Sequence, residues 1–224
     1  MNLIRHSEFF DPFAIKEPVH VIGVGAIGSH VAEQLVRMGL DHITIWDFDT
    51  VDEKNIPNQL YTTRDVGMSK TDALKETLLD INPELNIRTR TRWKQGDTLN
   101  GYVFMCVDTI DVRKDIVATC EYNKHCLGLF DFRMRLTDAQ HYAAVPGNEI
   151  EMQNLKASMN FTQEEAKEAT PVSACGSSLS VLPTIRVISA VGVANFMNLV
   201  KANELKTTIL IDAFSFGILA FSKR

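Results

Sequence analysis

The stretch that most constrains the fold is residues 19–28, which read VHVIGVGAIG. Its pattern predicts a strand over 19–23, a glycine-rich turn and then a helix over 26–38. Gly23, Gly25 and Gly28 would let the chain turn tightly and bring backbone N–H groups close to a phosphate at the helix N-terminus. The glycine pattern alone is a weak indicator of a nucleotide site, and the strand before it and the helix after it strengthen it.

A polar run after the second predicted strand, 42–47, bears on which nucleotide would bind. Asp47 lies about 20 residues past Gly28, where a dinucleotide fold places the acid that binds a ribose. That spacing alone would favour NAD and an oxidoreductase. The chain then adds an acid, two amides and a lysine that a dehydrogenase does not obviously need: Asp49, Asn55, Gln59 and Lys70.

The ordered set of motifs resembles the ThiF/MoeB/HesA family, the bacterial relatives of ubiquitin-activating E1 enzymes. The matching elements are GVGAIG, DFDTVDEKNIPNQ, VGMSK and MCVDTIDVR. The C-terminal TTILIDAFSFGILAFSKR is similar to the closing antiparallel strands of that family. The resemblance covers nearly the whole chain. It implies a single E1-like adenylation domain over 1–224, with a doubly wound, mostly parallel, Rossmann-like α/β sheet and an antiparallel C-terminal extension.

The resemblance also implies roles for individual residues. ATP would be bound by the three loop glycines and by Asp47, Asp49, Asn55, Gln59 and Lys70. Asp108 would hold Mg²⁺. The catalytic residues would be Lys70, Asp108, Cys175, and Arg5 donated across a homodimer.

The positions of Lys70 and Asp108 agree with these roles on physical grounds. A lysine at a helix start conflicts with the helix macrodipole, and a bound phosphate would resolve that conflict. Asp108 follows the apolar strand VFMCV, at the strand end where open α/β sheets bind ligands. Its carboxylate suits Mg²⁺, a hard cation. The alternatives are a solvated lysine and a helix N-cap, for which Asp111 is a second candidate.

Two positions depart from the family pattern. Asn58 stands where the family has an arginine that binds the ATP phosphates, so the site lacks that cation unless another residue supplies it. Pro57 restricts the backbone beside it and could turn position 58 towards solvent. The family's paired C-x-x-C motifs are also missing, so we expect no zinc. The Cys106 and Cys120 thiols are expected to fill the core.

Composition indicates an ordinary globular chain. It has 224 residues, 45% hydrophobic and 23% charged, with a net charge of −5. The acidic balance disfavours broad nucleic-acid binding. We expect no secretory signal, because the N-terminus has no basic start before an apolar run. Free cysteines fit a cytoplasmic location. The apolar stretch 181–200 is interrupted by polar residues and predicts a buried or interface helix, not a membrane span.

The remaining pattern alternates strands and helices as far as residue 131 and then changes. Alternation predicts a parallel sheet with helices on both faces. The later segments HYAAV, TTILI and GILAF predict antiparallel strands. Residues 146–174 have little apolar content and predict a functional loop; 146–175 would be a mobile crossover that carries Cys175.

The expected function is therefore ATP-dependent adenylation of a carboxylate. The favoured substrate is the C-terminal glycine of a ubiquitin-like β-grasp carrier protein, with possible transfer to Cys175. Three alternatives stay open. The substrate could be a carboxylate on a small molecule, a peptide or a tRNA. The chain could be a nucleotide-binding scaffold without turnover, or an NAD-dependent oxidoreductase.

Overall fold

Strands and helices alternate through the first half of the computed structural model, which describes residues 1–173 and 179–222. In chain order the elements are β1 (Val19–Ile22), α1 (Ala26–Arg37), β2 (His42–Trp46), α2 (Lys70–Ile81), β3 (Asn86–Arg90), β4 (Gly101–Met105), α3 (Ile110–Glu121), β5 (Cys126–Met134), β6 (Asp138–Ala144), α4 (Glu149–Ala157), α5 (Gln163–Glu168), α6 (Leu182–Ala202), β7 (Thr208–Asp212) and β8 (Gly217–Phe221). Short 3₁₀ turns lie at Pro12–Ala14, Glu53–Asn55 and Thr63–Asp65.

The strands in the described residues form one sheet in the order β3-β2-β1-β4-β5-β6-β7-β8. Strands β1 to β5 are parallel, and β6, β7 and β8 are antiparallel to their neighbours. The predicted doubly wound sheet with an antiparallel extension is confirmed. Strand order reverses between β1 and β4, and in open α/β sheets ligands bind at such a reversal, beyond the carboxyl ends of the strands.

Helices cover both faces of the sheet and create two apolar clusters. On one face, α1 packs against α2 and α6, and the aromatic rings of Phe104, Phe130, Phe132 and Phe196 lie in the cluster beneath them. On the other face, α3 and α4 cover a smaller cluster that includes Trp46. The two clusters hold the ends of β1 and β4 in place.

The segment 146–174, which we expected to be a functional loop, contains the two helices α4 and α5. Asn148 caps α4 by accepting a hydrogen bond from the Glu151 backbone N–H. Met152 and Leu155, three residues apart, bury one side of this helix. Two apolar residues at that spacing are enough to dock a short helix, which a count of apolar residues overlooks. Cys175 lies outside the described residues.

Helix α6 is a core helix of the fold. It packs on α1, β5 and β6. Within the described residues it is the one helix long and apolar enough to cross a membrane by length and composition, and half of that window is buried inside the protein. A core helix passes the same test, and the packing of α6 agrees with the predicted buried helix.

His141 on β6 is fully buried as a neutral ring. Its Nδ1–H donates to the Asp131 backbone oxygen (3.0 Å), and its Nε2 accepts from Asn195 Nδ2 (3.2 Å). Burial lowers the pKa of His141 from 6.5 to about 3. Because the unfolded chain binds this proton more tightly than the folded chain does, the histidine destabilises the fold as the pH drops below 6.5.

We therefore predict that His141→Gln reduces the acid sensitivity of the fold. Between pH 7 and pH 5 the unfolding free energy of the unchanged protein should fall by about 2 kcal/mol more than that of the variant. Urea unfolding at both pH values measures this difference. His125→Gln, at an exposed position, is the matched control and should behave like the unchanged protein. Equal losses for all three proteins would contradict the assignment.

Candidate nucleotide-binding site

The glycine turn after β1 is held so tightly that side chains are excluded. Gly23 has φ +85°, and a Cβ there would lie 2.8 Å from the Cys106 backbone oxygen. A Cβ on Gly28 would lie 1.8 Å from the Gly23 backbone oxygen. At Gly25, the residue before α1, a Cβ would meet nothing within 4 Å. The start of α1 is therefore open, without a side-chain cap, and its backbone N–H groups suit a phosphate.

Asp47 ties this turn to the loop after β2. Its Oδ2 accepts from the Val24 backbone N–H (2.8 Å), and its Oδ1 accepts from the Asp49 N–H (2.9 Å). Burial raises the pKa of Asp47, and these two hydrogen bonds and Lys70 oppose that rise. Each carboxylate oxygen can accept one more hydrogen bond, so the predicted contact with ribose hydroxyls fits the geometry.

Lys70 and Asp49 form an ion pair at the mouth of the site, with Lys70 Nζ 2.9 Å from Asp49 Oδ2. Lys70 is buried, whereas about half of the Asp49 side chain is exposed. Ser69 caps α2 by accepting from the Asp72 N–H, and the Lys70 N–H donates to the Asp49 backbone oxygen. The lysine is therefore held in place, and a bound phosphate could replace Asp49 as its ion-pair partner.

Tyr61 joins the same loops, a role that the sequence analysis did not predict. Its hydroxyl donates to the backbone oxygen of Val24 (2.6 Å) and lies 3.3 Å from that of Lys70. Burial raises the pKa of Tyr61, so the phenol keeps its proton. An aromatic residue that follows NQL within a polar loop was the available signal.

The amides between β2 and α2 divide into two groups. Asn55 Oδ1 accepts from the Asp52 N–H (2.9 Å), so its oxygen serves the local turn and not a ligand. Asn58 is partly buried and donates through Nδ2 to Ser180 Oγ (2.5 Å), so its side chain is not turned out to solvent. Asn58 Oδ1 and Gln59 Oε1 are buried without a partner among the described residues. Such acceptors suit a ligand that carries hydroxyl or amine donors.

Asp108 is free to bind a metal. It is exposed beyond β4 and accepts a hydrogen bond from Thr109 Oγ1 (3.1 Å). It does not cap α3, because the Ile110 N–H donates instead to Gln163 Oε1 on α5 (2.9 Å). The described residues contain no cluster of three metal-ligating side chains. Asp108 could hold Mg²⁺ only together with phosphate oxygens and water, which is how proteins commonly bind this ion.

A buried charge cluster supports the strand ends beneath Asp108. Arg113 on α3 donates to the Asp131 carboxylate on β5 and to the Val107 and Phe132 backbone oxygens. Arg133 also pairs with Asp131 and donates to the Ser158 backbone oxygen (2.6 Å). These contacts join the end of β4 to β5 and to α4. The sequence signal for Arg113 was an arginine at helical spacing with buried apolar residues of α3.

Of two further predicted catalytic residues, one lies away from the site and the other falls outside the described residues. The N-terminal segment packs at the far end of α1, where a Cβ on Gly39 would lie 2.6 Å from Leu3 and 2.7 Å from Pro12. Helix α1 is about 18 Å long, so Arg5 is remote from its own glycine loop and could act only on a partner subunit. Cys175 lies outside the described residues. Burial raises the pKa of Cys106 to about 12, which agrees with its predicted role as an inert core residue.

Comparison with known proteins identifies the family of the chain. The family model of the ThiF family matches residues 16–213. The chain belongs to the ThiF family. It is 31% identical over 150 residues to ubiquitin-like modifier-activating enzyme 5 of Drosophila willistoni, covering 58% of this chain and 35% of that protein. For the Arabidopsis thaliana enzyme of that name the identity is 31% over 142 residues, covering 54% and 32%. The chain thus spans about a third of the length of these relatives.

Solved structures share the fold at low sequence identity. E. coli MccB with ATP superposes with a TM-score of 0.73 at 18% identity, over 93% of this chain and 64% of that chain. PaaA gives a TM-score of 0.70 at 15% identity, over 92% and 63%. These likenesses show that the ThiF-family chain has the same Rossmann-like architecture.

We predict that Gln163 stabilises the helix that follows Asp108. Removal of its side-chain acceptor by Gln163→Ala should lower the unfolding free energy by about 1 kcal/mol, because the α3 N-terminus loses its cap. Gln163→Glu keeps an acceptor and should restore the stability. Urea unfolding provides the measurement, with Gln153→Ala on the exposed side of α4 as the control. A loss as large in the Gln153 variant would argue against a specific cap.

Proposed function

We propose that this ThiF-family chain uses ATP to adenylate a carboxylate, most of all the C-terminal glycine of a ubiquitin-like β-grasp carrier protein. The observation that carries the proposal is the convergence of four features at the β1/β4 reversal: the open start of α1, Asp47, the Lys70–Asp49 pair, and Asp108. A dehydrogenase would use the first two. The other two are suited to a triphosphate and its metal.

Each group has a defined task in this reaction. The N–H groups at the start of α1 bind phosphate oxygens, and Asp47 orients the ribose. Lys70 moves from Asp49 towards the phosphates, where its charge stabilises the transition state as pyrophosphate leaves. Asp108 would hold Mg²⁺, which supplies further charge neutralisation on the phosphates. The carboxylate attacks the α-phosphorus and displaces pyrophosphate, which forms an acyl-adenylate. A nucleophile, for which Cys175 is the candidate, then takes the acyl group and AMP leaves.

The site needs another cation beside Lys70, and a homodimer would provide it. Asn58 bonds to Ser180 and offers no charge. Arg5 lies about one helix length from its own site. Donation of Arg5 to the partner subunit would complete the charge that balances the triphosphate. This arrangement belongs to the proposal and is tested by the mass of the protein in solution and by the activity of Arg5→Ala.

An exposed apolar surface supports a folded protein as the substrate. All five residues of β8 are exposed, and with two neighbouring aromatics they present Phe214, Phe216, Ile218, Leu219 and Phe221 to solvent. Exposed apolar patches of this kind commonly mark protein interfaces. The patch lies on the antiparallel extension, away from the helices that cover the parallel strands. The names of the curated relatives agree with a ubiquitin-like partner.

A peptide carboxylate is the second candidate. MccB, which has this fold, has been crystallised with ATP and with MccA. A peptide substrate would need only the nucleotide site and the expected crossover at 146–175, and it would leave the β8 surface unused. Loss of adenylation activity in the Leu219→Glu variant would favour the carrier protein as the substrate, whereas full activity would favour the peptide as the substrate.

We predict that ATP binding depends on Mg²⁺ through Asp108. In calorimetry the unchanged protein should bind ATP more tightly with Mg²⁺ than without it. We expect this gain in ATP affinity to be about tenfold or more. Asp108→Asn should remove the gain, because the metal loses its carboxylate ligand. Asp111→Asn, three residues along on the exposed side of α3, should leave the gain intact. Micromolar NAD binding without ATP binding would refute the proposed function.

A further inference from the structure

Strand β3 forms one edge of the sheet and carries arginines along a single face. It pairs only with β2 among the described strands, in the register Thr44 to Arg88 and Trp46 to Arg90. Successive side chains of a strand alternate between faces, so Arg88 and Arg90 point the same way, about 7 Å apart. Both are exposed. We call these two residues the basic edge.

The basic edge has no ion-pair partner among the residues that the structure describes. Neither Arg88 nor Arg90 forms an ion pair with a carboxylate of residues 1–173 or 179–222. Their same-face neighbours on β2 are Thr44 and Trp46, which are uncharged. The chain as a whole carries a net charge of −5. Two unpaired cations side by side on an acidic protein therefore set up a local positive potential that can select an acidic partner.

The backbone of β3 offers hydrogen bonds on the same edge. The Asn86 N–H donates to the Asp41 oxygen, and the Arg90 oxygen accepts from the Asp47 N–H, so these residues direct their backbone groups towards β2. In a parallel pair the direction alternates along the strand. The N–H and C=O of Thr89 consequently face away from the sheet. An extended peptide could pair there, with its own side chains opposite Arg88 and Arg90.

We propose that the basic edge is a docking site for an acidic polypeptide segment in an extended conformation, with Asp or Glu at alternate positions. Such a segment would add a strand beside β3 through Thr89 and place its carboxylates opposite the two arginines. Main-chain hydrogen bonds give a peptide of this type its affinity, and the alternate side chains give specificity. A nucleic acid could satisfy the arginines but not the outward backbone groups. The surface is distinct from β8, which lies at the opposite edge of the sheet.

A labelled eight-residue peptide of alternating Thr and Glu is the direct probe, followed by fluorescence anisotropy at low salt. The unchanged protein should bind it about tenfold more tightly than a peptide of the same composition with the Glu residues grouped, or an alternating Thr–Lys peptide. An eight-nucleotide oligothymidylate tests the nucleic-acid alternative. Absence of binding, or tighter binding of the oligonucleotide, would overturn the proposal.

Paired variants separate the basic edge from general charge effects. Arg88→Gln with Arg90→Gln should weaken peptide binding about tenfold. Lys124→Gln with Arg135→Gln removes the same charge at other exposed positions and should leave binding nearly unchanged. Equal weakening in the two proteins would overturn the proposal. Charged edge strands also prevent aggregation; a protective role alone predicts that the first variant aggregates and that neither protein selects the alternating acidic peptide.

Hydrogen exchange tests the added strand itself. With the Thr–Glu peptide bound, exchange of the Thr89 amide should slow, because its N–H gains a partner. The amides of Arg88 and Arg90 face β2 and should exchange as before. Arginine-dependent binding without protection of Thr89 would overturn strand addition.

Discussion

The close contact between the glycine turn and the end of β4 is the constraint on which the site depends. Gly23 lies against the Cys106 backbone, and Gly28 lies against Gly23 itself. Without side chains at these two positions, α1 can start directly above the point where the strand order reverses. The open N-terminus of that helix and the carboxylate after β4 are thereby brought to one place. Any side chain at Gly28 would push the helix away and separate them.

Ion pairs and hydrogen bonds then fix the loops around this contact. Asp47 joins the glycine turn to the loop after β2, and Tyr61 joins it to the start of α2. Arg113 on α3 joins the end of β4 to β5 beneath Asp108, because it donates both to the Val107 backbone oxygen and to the Asp131 carboxylate. A buried ion pair contributes little net stability, since desolvation offsets much of the attraction between the charges. Its contribution here is positional, because each guanidinium N–H specifies where a strand end must lie.

The region between α4 and α6 links the site to the rest of the chain. Gln163 caps α3 beside Asp108, and Ser180 accepts a hydrogen bond from Asn58. Gln163 thus contacts the start of α3, and Ser180 contacts the loop between β2 and α2. Asn58, at the position where the resemblance led us to expect an arginine, serves in the structure to attach this loop to Ser180.

The sequence by itself determined the fold class, and it predicted which residues would surround a nucleotide. Glycine spacing, Asp47, Lys70 and the alternation of apolar segments depend on local rules of turn geometry and periodicity, which a single chain displays. It did not reveal that Asn55 closes its own turn, that Arg5 lies far from its own site, or that α4 forms within the expected loop. Nor did it reveal the roles of Tyr61, Gln163 and Arg113. Only the tertiary structure decided these points, because each depends on which distant backbone atom a side chain meets, and sequence separation does not encode that distance.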